Sequence, residues 1–242
     1  MPDAPPLYIS IVIPVYNEEA NVGTLVEELE AALNPIGRPY ELILVDDASK
    51  DASLATMQGL QAAHPALRVL SHRINSGQSA AVASGFHAAR GDIVITLDAD
   101  LQNPPADIPL LLAAMTPEVS CVNGVRARRQ DNWVRKLSSR LANGFRNWIT
   151  GDTIKDAGCG FRAMRRAALG EVPVFNGMHR FLPTLLRAQG YTVVEVPVSH
   201  RPRTRGVSKY GIGNRLWRGI RDCFAIRWYR ARAVRGDRLR VG

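Results

Sequence analysis

The first 122 residues alternate between short apolar runs and longer amphipathic ones, and this alternation leaves few possible folds. Runs rich in β-branched residues predict strands, at residues 8–15, 42–45, 67–70, 94–97 and 119–122. Apolar residues at helical spacing predict helices between them, at about 19–33, 53–63, 78–89 and 105–115. Because strands that alternate with helices make right-handed crossovers, we expect an α/β fold with a mostly parallel central sheet and helices on both faces.

Acidic side chains follow three of the predicted strands. Glu18 comes after the first strand, Asp46 and Asp47 after the second, and Asp98 and Asp100 after the fourth. Open parallel sheets bind ligands at the carboxyl ends of their strands, so we expect these five side chains to line one crevice. The alternative is that each one caps a helix independently, which explains single residues better than it explains the two acidic pairs.

The pair Asp98 and Asp100 is the most specific of these features. Residues two apart in extended backbone point to the same side, where two carboxylates repel each other unless a cation lies between them. Oxygen ligands favour Mg²⁺ or Mn²⁺, and Mg²⁺ held by one or two carboxylates completes its shell with water and substrate phosphates. Gln102 adds a third oxygen ligand at the same spacing. The alternative is a strand that ends in a simple turn at Asn103 and Pro104.

Charge is distributed very unevenly along the chain. Residues 1–124 contain 5 Lys and Arg against 15 Asp and Glu, a net charge of −10, whereas residues 125–242 contain 26 against 7, a net charge of +19. These values sum to the net charge of +9 of the whole chain of 242 residues. We expect the second half to face something anionic, namely nucleic acid, a phospholipid surface or phosphate-bearing substrates.

Several classes of protein are disfavoured by what the sequence lacks. Its 3 cysteines show no paired spacing, which indicates a reducing compartment without structural disulfides or zinc. No secretory leader and no run of about 18 apolar residues is present, so we expect a soluble or peripheral protein. Neither the glycine pattern of dinucleotide-binding folds nor that of P-loop enzymes occurs, and no Ser/His/Asp arrangement stands out.

Six motifs in this order resemble family 2 glycosyltransferases, and more narrowly the group of dolichyl-phosphate mannose synthases and bacterial polyprenyl-phosphate glycosyltransferases. The motifs are IPVYNEE at 13–19, VDDASKD at 45–51, NSGQ at 75–78, DADLQNPP at 98–105, DAGCGFR at 156–162 and HRPRTRGVSKY at 200–210. The resemblance covers residues 7–210 and implies a GT-A catalytic domain over residues 1–210. Residues 1–124 would bind the nucleotide sugar, residues 125–210 the acceptor, and residues 211–242 would form a basic amphipathic helix and tail.

The resemblance also implies a chemistry and a set of site residues. It implies an inverting transfer of a hexosyl group, most simply mannose or glucose, from GDP-mannose or a UDP-hexose, with Mg²⁺ or Mn²⁺ as cofactor. The nucleotide-sugar site would consist of Pro14, Tyr16, Glu18, Asp46, Asp47, Gln78 and Asp98. The metal shell would consist of Asp98, Asp100 and Gln102.

Two positions near these motifs carry expectations about the backbone. Asn17 is predicted to cap the first helix, with Glu18 and Glu19 in the favourable first turn. Ala48 stands where the resembling family often has glycine, so it cannot be assumed to adopt a backbone conformation that favours glycine.

Two segments of the basic half combine tryptophans with arginines. Residues 133–149 and 212–229 place aromatic and aliphatic side chains on one stripe and Arg or Lys elsewhere, which is typical of a helix that lies in a membrane interface. The alternative is an ordinary amphipathic helix packed on the sheet. Residues 230–240 predict a basic tail that meets anionic lipid headgroups.

An arginine-rich loop follows at residues 200–206, and its prolines and glycine exclude a helix or a central strand. Arginine forks match phosphate oxygens, so we expect this loop to bind a pyrophosphate or an acceptor phosphate. The alternative is a solvated basic loop. The phosphate-binding candidates are Arg201, Arg203, Arg205, Ser208 and Lys209, with Arg126 and Arg128 as further catalytic candidates.

The chemistry expected depends on the acceptor. A lipid phosphate is already ionised near neutral pH, so its transfer needs electrostatic stabilisation rather than a strong base. A sugar hydroxyl would need a carboxylate base, for which Asp156 is the candidate. We therefore assign Asp100 and Asp156 to the active site and leave the role of Asp156 open. Cys159 has no partner for nucleophilic catalysis and is taken as structural.

The leading hypothesis is a glycosyltransferase that is peripheral on the cytoplasmic face of the cell membrane and uses polyprenyl phosphate on an anionic surface. This hypothesis leaves room for a separate flippase or membrane partner. A second hypothesis is transfer to a non-lipid acceptor. A third, from a different class, is a module that binds single-stranded nucleic acid through Trp and Arg. That third hypothesis leaves the acidic crevice unexplained, so no nucleic-acid partner is expected.

Overall fold

The computed structural model describes residues 8–126, 144–202 and 212–233, with only the backbone over 212–218. Seven strands form one sheet in the order β3-β2-β1-β4-β6-β5-β7. The strands are β1 (Ile9–Val15), β2 (Tyr40–Asp46), β3 (Leu67–Ser71), β4 (Ile93–Thr96), β5 (Cys121–Arg126), β6 (Arg162–Arg165) and β7 (Val193–Val198). All neighbours run parallel except β6, which is antiparallel to both β4 and β5.

Helices cover the sheet on both faces. They are α1 (Glu19–Leu33), α2 (Ser53–Leu60), α3 (Gln78–Ala88), α4 (Ile108–Ala113), α5 (the helical residues 144–150), α6 (Arg166–Leu169), α7 (Leu182–Ala188) and α8 (Ile212–Arg232). The strands and helices expected over residues 8–115 are confirmed, with ends that differ by up to three residues. The expected fold class, a mostly parallel sheet between helices, is also confirmed.

The first strand shows why both faces must be covered. Ile11 and Ile13 pack with α1 residues such as Leu25 in one buried cluster, whereas Val12 packs with Ala81 of α3 in a second cluster. Alternate residues of a strand point to opposite faces, so a strand that is apolar at every position becomes buried on both sides. The two clusters account for the near-continuous apolar run that predicted a central strand.

Helix α3 approaches the sheet very closely. A Cβ added to Gly85 would lie 2.2 Å from Cγ1 of Val12 in β1. That distance is well inside van der Waals contact, and the neighbour is a fully buried side chain. The absence of a side chain at Gly85 therefore allows α3 to lie directly on β1, and the first turn of α3 reaches the carboxyl edge of the sheet.

The arrangement of the second half was not predicted in detail. Strand β6 is inserted antiparallel between β4 and β5, and β7 extends the sheet beyond β5. The sequence gives a weak signal for β6 because it has four residues, two of which are arginines. Because β6 starts where β4 and β5 end, the DAGCGFR motif lies directly beside the acidic carboxyl edge.

Candidate active site at the carboxyl edge of the sheet

A cavity of about 160 Å³ opens at the carboxyl ends of β1 and β4. Its walls come from those two strand ends, the first turn of α3, the turn before β6 and the turn before α7. The lining residues are Pro14, Gln78, Val82, Thr96, Leu97, Asp98, Ala157, Gly158, Gly160, Arg162, His179, Arg180 and Leu182. Three of the predicted site residues, Pro14, Gln78 and Asp98, therefore line one cavity.

Asp98 is held in this cavity by groups from two other elements. Gln78 Nε2 donates a hydrogen bond to Asp98 Oδ1 over 2.8 Å. A Cβ added to Gly160 would lie 2.8 Å from Asp98 Oδ2, so the backbone at Gly160 passes directly against the carboxylate. Burial, together with repulsion from Asp100, raises the pKa of Asp98 to about 6, and Arg162 and Arg126 oppose that rise.

Asp100 lies two residues beyond Asp98, in the turn that follows β4. Leu97 and Ala99 are buried, whereas Asp98 and Asp100 are half-buried. Oδ1 of Asp100 accepts a hydrogen bond from the backbone N–H of Gln102 over 3.2 Å. The segment then turns at Leu101, which has a positive φ of 60°.

The donor set at this point is compatible with a hard divalent cation. Burial and the nearby Asp100 carboxylate both disfavour the charged form of Asp98, and a cation held between the two carboxylates would offset both effects. Two carboxylates are what Mg²⁺ usually takes when water and phosphate oxygens complete its shell. Within residues 8–126, 144–202 and 212–233, no cluster of three His, Cys, Asp or Glu side chains is arranged to hold a metal ion.

Gln102 and Arg201 contact each other at the rim of the crevice. The backbone N–H of Arg201 donates to the carbonyl of Gln102 over 2.8 Å, and Gln102 Nε2 reaches the carbonyl of Arg201 at 3.5 Å. The Arg201 guanidinium donates to both carboxylate oxygens of Glu28 in α1, each over 2.8 Å. The other predicted phosphate-binding residues Arg203, Arg205, Ser208 and Lys209, and also Arg128, lie outside the described residues.

The two acidic residues after β2 have different surroundings. Asp46 is buried and accepts a hydrogen bond from the N–H of Ser49. Asp47 is also buried, and it accepts from the N–H groups of Ser76 and Gly77 while its Oδ1 lies 2.8 Å from Nδ1 of His72. Asp47 therefore anchors the loop before α3, so its proposed contact with the nucleotide is an indirect one.

The loops after β1 and β2 are joined by reciprocal hydrogen bonds. Asn17 N donates to Ser49 Oγ over 2.9 Å, and Lys50 N donates to Asn17 Oδ1 over 2.7 Å. Glu18 N donates to Ser53 Oγ over 2.8 Å. Asn17 has a positive φ of 53° and its side chain binds the neighbouring loop, and the expected cap of α1 by Asn17 stays a prediction.

The loops after β1 and β2 also contain Tyr16, Glu18 and Ala48. Tyr16 and Glu18 are half-buried beside the loop contacts, and Glu18 Oε2 accepts from Nδ2 of Asn21 over 2.7 Å. Ala48 has a φ of 56°, which is the left-handed region that favours glycine. Ala48 thus adopts the left-handed backbone conformation that a glycine would favour, and this conformation costs free energy for a residue with a side chain. The Ala48 side chain is half-buried.

Arg126 and Asp156 form a two-point ion pair. Arg126 Nε donates to Asp156 Oδ2 and Arg126 Nη2 donates to Oδ1, each over 2.7 Å. Both side chains are largely buried, and the hydrogen bonds to Asp156 raise the pKa of Arg126 against the effect of its burial. A carboxylate whose two oxygens both accept from one guanidinium is poorly placed to remove a proton from a hydroxyl.

Three cavity residues were missed as site candidates, namely Arg162, His179 and Arg180. The Arg162 side chain is buried and donates through Nε to Asn123 Oδ1 and through Nη2 to the carbonyl of Ala157. The only sequence signal for Arg162 was its position at the end of the DAGCGFR motif. His179 and Arg180 carried no local signal, because their place in the cavity depends on the packing of α7.

The cysteines fit a structural role. All three are free and buried, and burial raises the pKa of the Cys159 thiol to about 11 and that of the Cys121 thiol to about 12. Both thiols therefore stay protonated near neutral pH and are poor nucleophiles.

Helices α5 and α8 present aromatic side chains to the outside. Trp148 is 74% exposed and Trp228 is 63% exposed, and Phe145 and Phe224 lie one turn from them on the same helices. The opposite face of α8 packs on the protein through Cys223 and other buried residues. One face of α8 is thus part of the core, and the location of the helix in a membrane interface stays a prediction. Among the described residues, no helix combines the length and apolar character needed to cross a membrane.

The sequence is similar to a group of curated bacterial enzymes. It is 40% identical over 207 residues to the undecaprenyl-phosphate 4-deoxy-4-formamido-L-arabinose transferase of Edwardsiella ictaluri, covering 85% of this chain and 63% of the relative. The protein of the same name from Pectobacterium carotovorum is 42% identical over 204 residues, covering 84% of this chain and 62% of the relative. The chain thus spans less than two thirds of the length of these relatives.

Solved structures of more distant proteins share the fold. Glucosyl-3-phosphoglycerate synthase from Mycobacterium tuberculosis, in complex with Mg²⁺ and UDP, superposes with a TM-score of 0.66 at 20% identity over 95% of this chain and 81% of that one. A mannosyltransferase from Pyrobaculum calidifontis, in complex with GDP-Man and Mn²⁺, gives 0.61 at 19% identity over 96% of this chain and 72% of that one. The model of glycosyl transferase family 2 matches residues 10–172. With this match and a GT-A fold, the chain belongs to glycosyl transferase family 2.

Proposed function

We propose that the protein transfers a glycosyl group from a nucleotide-diphosphate sugar to a polyprenyl phosphate. The observation that carries this proposal is the acidic pair Asp98 and Asp100 at the mouth of a cavity that also contains buried arginine. A bound cation and fixed positive charge can both stabilise a diphosphate, and in this proposal the acidic pair and Arg162 supply them. The similarity to undecaprenyl-phosphate transferases at about 40% identity supports a lipid phosphate as the acceptor.

The names of the similar enzymes favour one candidate for the glycosyl group. Their names specify 4-deoxy-4-formamido-L-arabinose, a pentose with a formamido group. The sequence resemblance implied a hexose, such as mannose or glucose. We infer that the formamido pentose is the first candidate and that a hexose from GDP-mannose or a UDP-hexose is the second.

Each of the site residues has a separate role in the proposed transfer. Asp98 and Asp100, with Gln102 nearby, would hold Mg²⁺ or Mn²⁺, which when bound supplies positive charge against the leaving diphosphate. Gln78 orients Asp98 through its 2.8 Å hydrogen bond. The Arg162 guanidinium adds fixed positive charge at the base of the cavity.

Asp156 has a supporting role in this proposal. An acceptor phosphate is ionised near pH 7 and attacks the anomeric carbon without a base. The Asp156 carboxylate can then remain paired with Arg126, as its two 2.7 Å hydrogen bonds indicate. Transfer to a sugar hydroxyl would require Asp156 to leave that pair, so the geometry favours the lipid phosphate.

We infer that the exposed aromatics of α5 and α8 form a membrane-facing surface, made up of Phe145, Trp148, Phe224 and Trp228. The two helices are adjacent, because Arg227 Nη1 reaches the carbonyl of Ile149 at 3.4 Å. Aromatic rings with arginines at their border suit the headgroup region of an anionic bilayer. Peripheral attachment at the cytoplasmic face would bring a polyprenyl phosphate to the enzyme, and a separate flippase or membrane partner would act on the product.

The direct test is a donor screen. The purified protein is incubated with undecaprenyl phosphate, Mg²⁺ or Mn²⁺, and labelled donors that include UDP-4-deoxy-4-formamido-L-arabinose, UDP-glucose and GDP-mannose. We expect a labelled lipid product from one donor, and none after EDTA treatment. Absence of a lipid product with every donor, in a protein that binds nucleotide, would contradict the proposed acceptor.

Asp100→Ala is the matched variant for this screen. We expect it to abolish transfer and to weaken Mn²⁺ binding measured by calorimetry, while far-UV circular dichroism stays unchanged, because the side chain is half-buried at the edge of the sheet. The exposed residue Asp92, which lies before β4 at the opposite edge, provides the control. Asp92→Ala should retain both transfer and Mn²⁺ binding.

A further inference from the structure

The cavity that Asp98 lines is also lined by His179, a residue from the short turn before α7. His179 is half-buried, and its Nδ1 lies 2.7 Å from the hydroxyl oxygen of Ser79. Its backbone carbonyl accepts a hydrogen bond from the Arg162 guanidinium. The side chain and the main chain of His179 are therefore both fixed by residues of the cavity.

The Ser79 hydroxyl is the group that contacts Nδ1 of the His179 imidazole. Ser79 is buried in the first turn of α3, and its oxygen accepts a hydrogen bond from the N–H of Gly177 over 2.8 Å. We assign the hydroxyl proton of Ser79 to a hydrogen bond with Nδ1, which the 2.7 Å separation allows. In a neutral imidazole this assignment places the proton of the ring on Nε2, which makes Nε2 a hydrogen-bond donor.

Two consecutive residues of α3 thus bind two residues that line the cavity. Gln78 binds Asp98, and Ser79 binds His179, 100 residues further along the chain. Asp98 belongs to the proposed metal and diphosphate site. A glycosyl group that extends from the diphosphate into the 160 Å³ cavity would share that cavity with His179.

We propose that His179 binds the glycosyl part of the donor by donating a hydrogen bond from Nε2 to an oxygen of the sugar, and that Ser79 is the positioning residue for this contact. The proposal rests on the proposed function and adds a residue that recognises the sugar. Because the imidazole contacts the sugar and not the nucleotide, it contributes to the choice of glycosyl group and has no effect on the choice of base.

The test compares donors with their diphosphates. Binding of UDP, GDP, UDP-4-deoxy-4-formamido-L-arabinose, UDP-glucose and GDP-mannose is measured by calorimetry with Mn²⁺ for the wild type and for His179→Ala. We expect the variant to bind the preferred nucleotide sugar about tenfold more weakly, the effect of one lost hydrogen bond. Binding of the corresponding nucleoside diphosphate should stay the same within about twofold.

Conservative variants separate a sugar contact from a structural role. His179→Gln places an amide N–H near the position of Nε2 and should recover most of the affinity, whereas His179→Asn, whose amide matches Nδ1, should not. Ser79→Ala should weaken binding of the sugar donor without affecting the diphosphate. In the wild type, ¹⁵N NMR of the imidazole should show the proton on Nε2, and this signal should change in Ser79→Ala.

Three outcomes would overturn the proposal. These are equal weakening of sugar donor and diphosphate in His179→Ala, unchanged binding of both, or equal recovery by the Gln and Asn variants. If Ser79→Ala fails to fold, the two His179 substitutions still decide the question. A wild type that binds none of the nucleotides would overturn the proposed function itself, which distinguishes that failure from an error about His179.

Discussion

Arg126 at the end of β5 and Asp156 before β6 are joined by two hydrogen bonds of 2.7 Å in a largely buried pair. The pair connects the end of a central strand to the motif that borders the cavity. Since removal of one partner leaves the other charge buried and unpaired, we expect Asp156→Asn and Arg126→Gln each to lower the free energy of unfolding by about 2 kcal/mol.

The double variant shows whether the pair acts as a unit. We expect its loss of stability to be smaller than the sum of the single losses by about 1–2 kcal/mol, measured by urea denaturation. Additive losses would show that the two side chains act independently. Transfer activity that survives in Asp156→Asn, after allowance for stability, would exclude Asp156 as a catalytic base.

Gly160 is predicted to be essential for the position of Asp98. A Cβ at this residue would lie 2.8 Å from Asp98 Oδ2, so Gly160→Ala should displace the carboxylate and reduce kcat/KM for transfer at least about tenfold. Gly170→Ala provides the control, because a Cβ there meets no atom within 4 Å. Steady-state kinetics with the donor found in the screen provides the measurement, and equal activity of the two variants would contradict the prediction.

Glu41 in β2 should make stability depend on pH. Burial alone would raise its pKa, but hydrogen bonds from Ser10, Arg68 and the N–H of Arg90 lower it below the usual value of 4.5. A carboxyl group with a lowered pKa in the folded state stabilises the protein above its unfolded pKa, and this contribution is lost as the pH falls through the folded value. We therefore expect stability from this group to be complete above about pH 5 and to decline below it.

Glu41→Gln should remove that dependence. The variant should be less stable than the wild type at pH 7 by roughly 2 kcal/mol, since it leaves the Arg68 guanidinium without its carboxylate, and the difference should shrink toward pH 3. Urea denaturation between pH 3 and pH 7 measures both quantities. A difference that stays constant over this range would contradict the assigned ionisation.

Ala48→Gly is predicted to stabilise the protein. The left-handed conformation at φ 56° costs an L residue about 1–2 kcal/mol, and the extra freedom of glycine in the unfolded chain offsets about 0.5–1 kcal/mol of that gain. We expect a net increase of about 0.5–1 kcal/mol in the free energy of unfolding. Ala52→Gly, in the same loop at φ −78°, should instead destabilise the protein.

The exposed tryptophans should control membrane association. We expect Trp148→Ser with Trp228→Ser to reduce flotation with liposomes that contain anionic phospholipid, at physiological salt, because interfacial tryptophan contributes to binding at the headgroup level. Val174→Ser, at another exposed apolar residue, should leave flotation unchanged. Flotation that is insensitive to both tryptophans, or a stronger association with RNA than with liposomes, would argue against the membrane-facing surface.

The first half of the fold was predictable because its evidence is local. Strand β1 has an apolar residue at nearly every position, and α1 has apolar residues at helical spacing. The sequence of each element therefore predicts whether it is a strand or a helix and which of its faces is buried. The position of Asp46 and Asp98 at the carboxyl edge of the sheet followed from the general rule that parallel strands expose their carboxyl ends at one edge. These inferences needed no knowledge of contacts between distant residues.

The remainder of the site depends on contacts that local patterns do not contain. Ser79 and His179 are 100 residues apart, and Arg201 and Glu28 are 173 apart. An Arg-rich segment predicts affinity for phosphate, but the partner of Arg201 in this structure is a carboxylate of α1. Local patterns also did not indicate that the Asn17 amide oxygen accepts a hydrogen bond from the loop after β2, a partner that helix-capping preferences do not consider.

The contact of Gly85 with Val12 has a consequence for the chemistry at the other end of α3. Gln78 and Ser79 are less than two turns from Gly85, and they bind Asp98 and His179, two residues that line the cavity. Because α3 lies directly on β1 at Gly85, the width of the cavity is set by the distance between a helix and a strand in the core. Bulkier residues at position 85 would lift the helix and alter the space for the sugar, so substrate range can change through a site that no substrate touches.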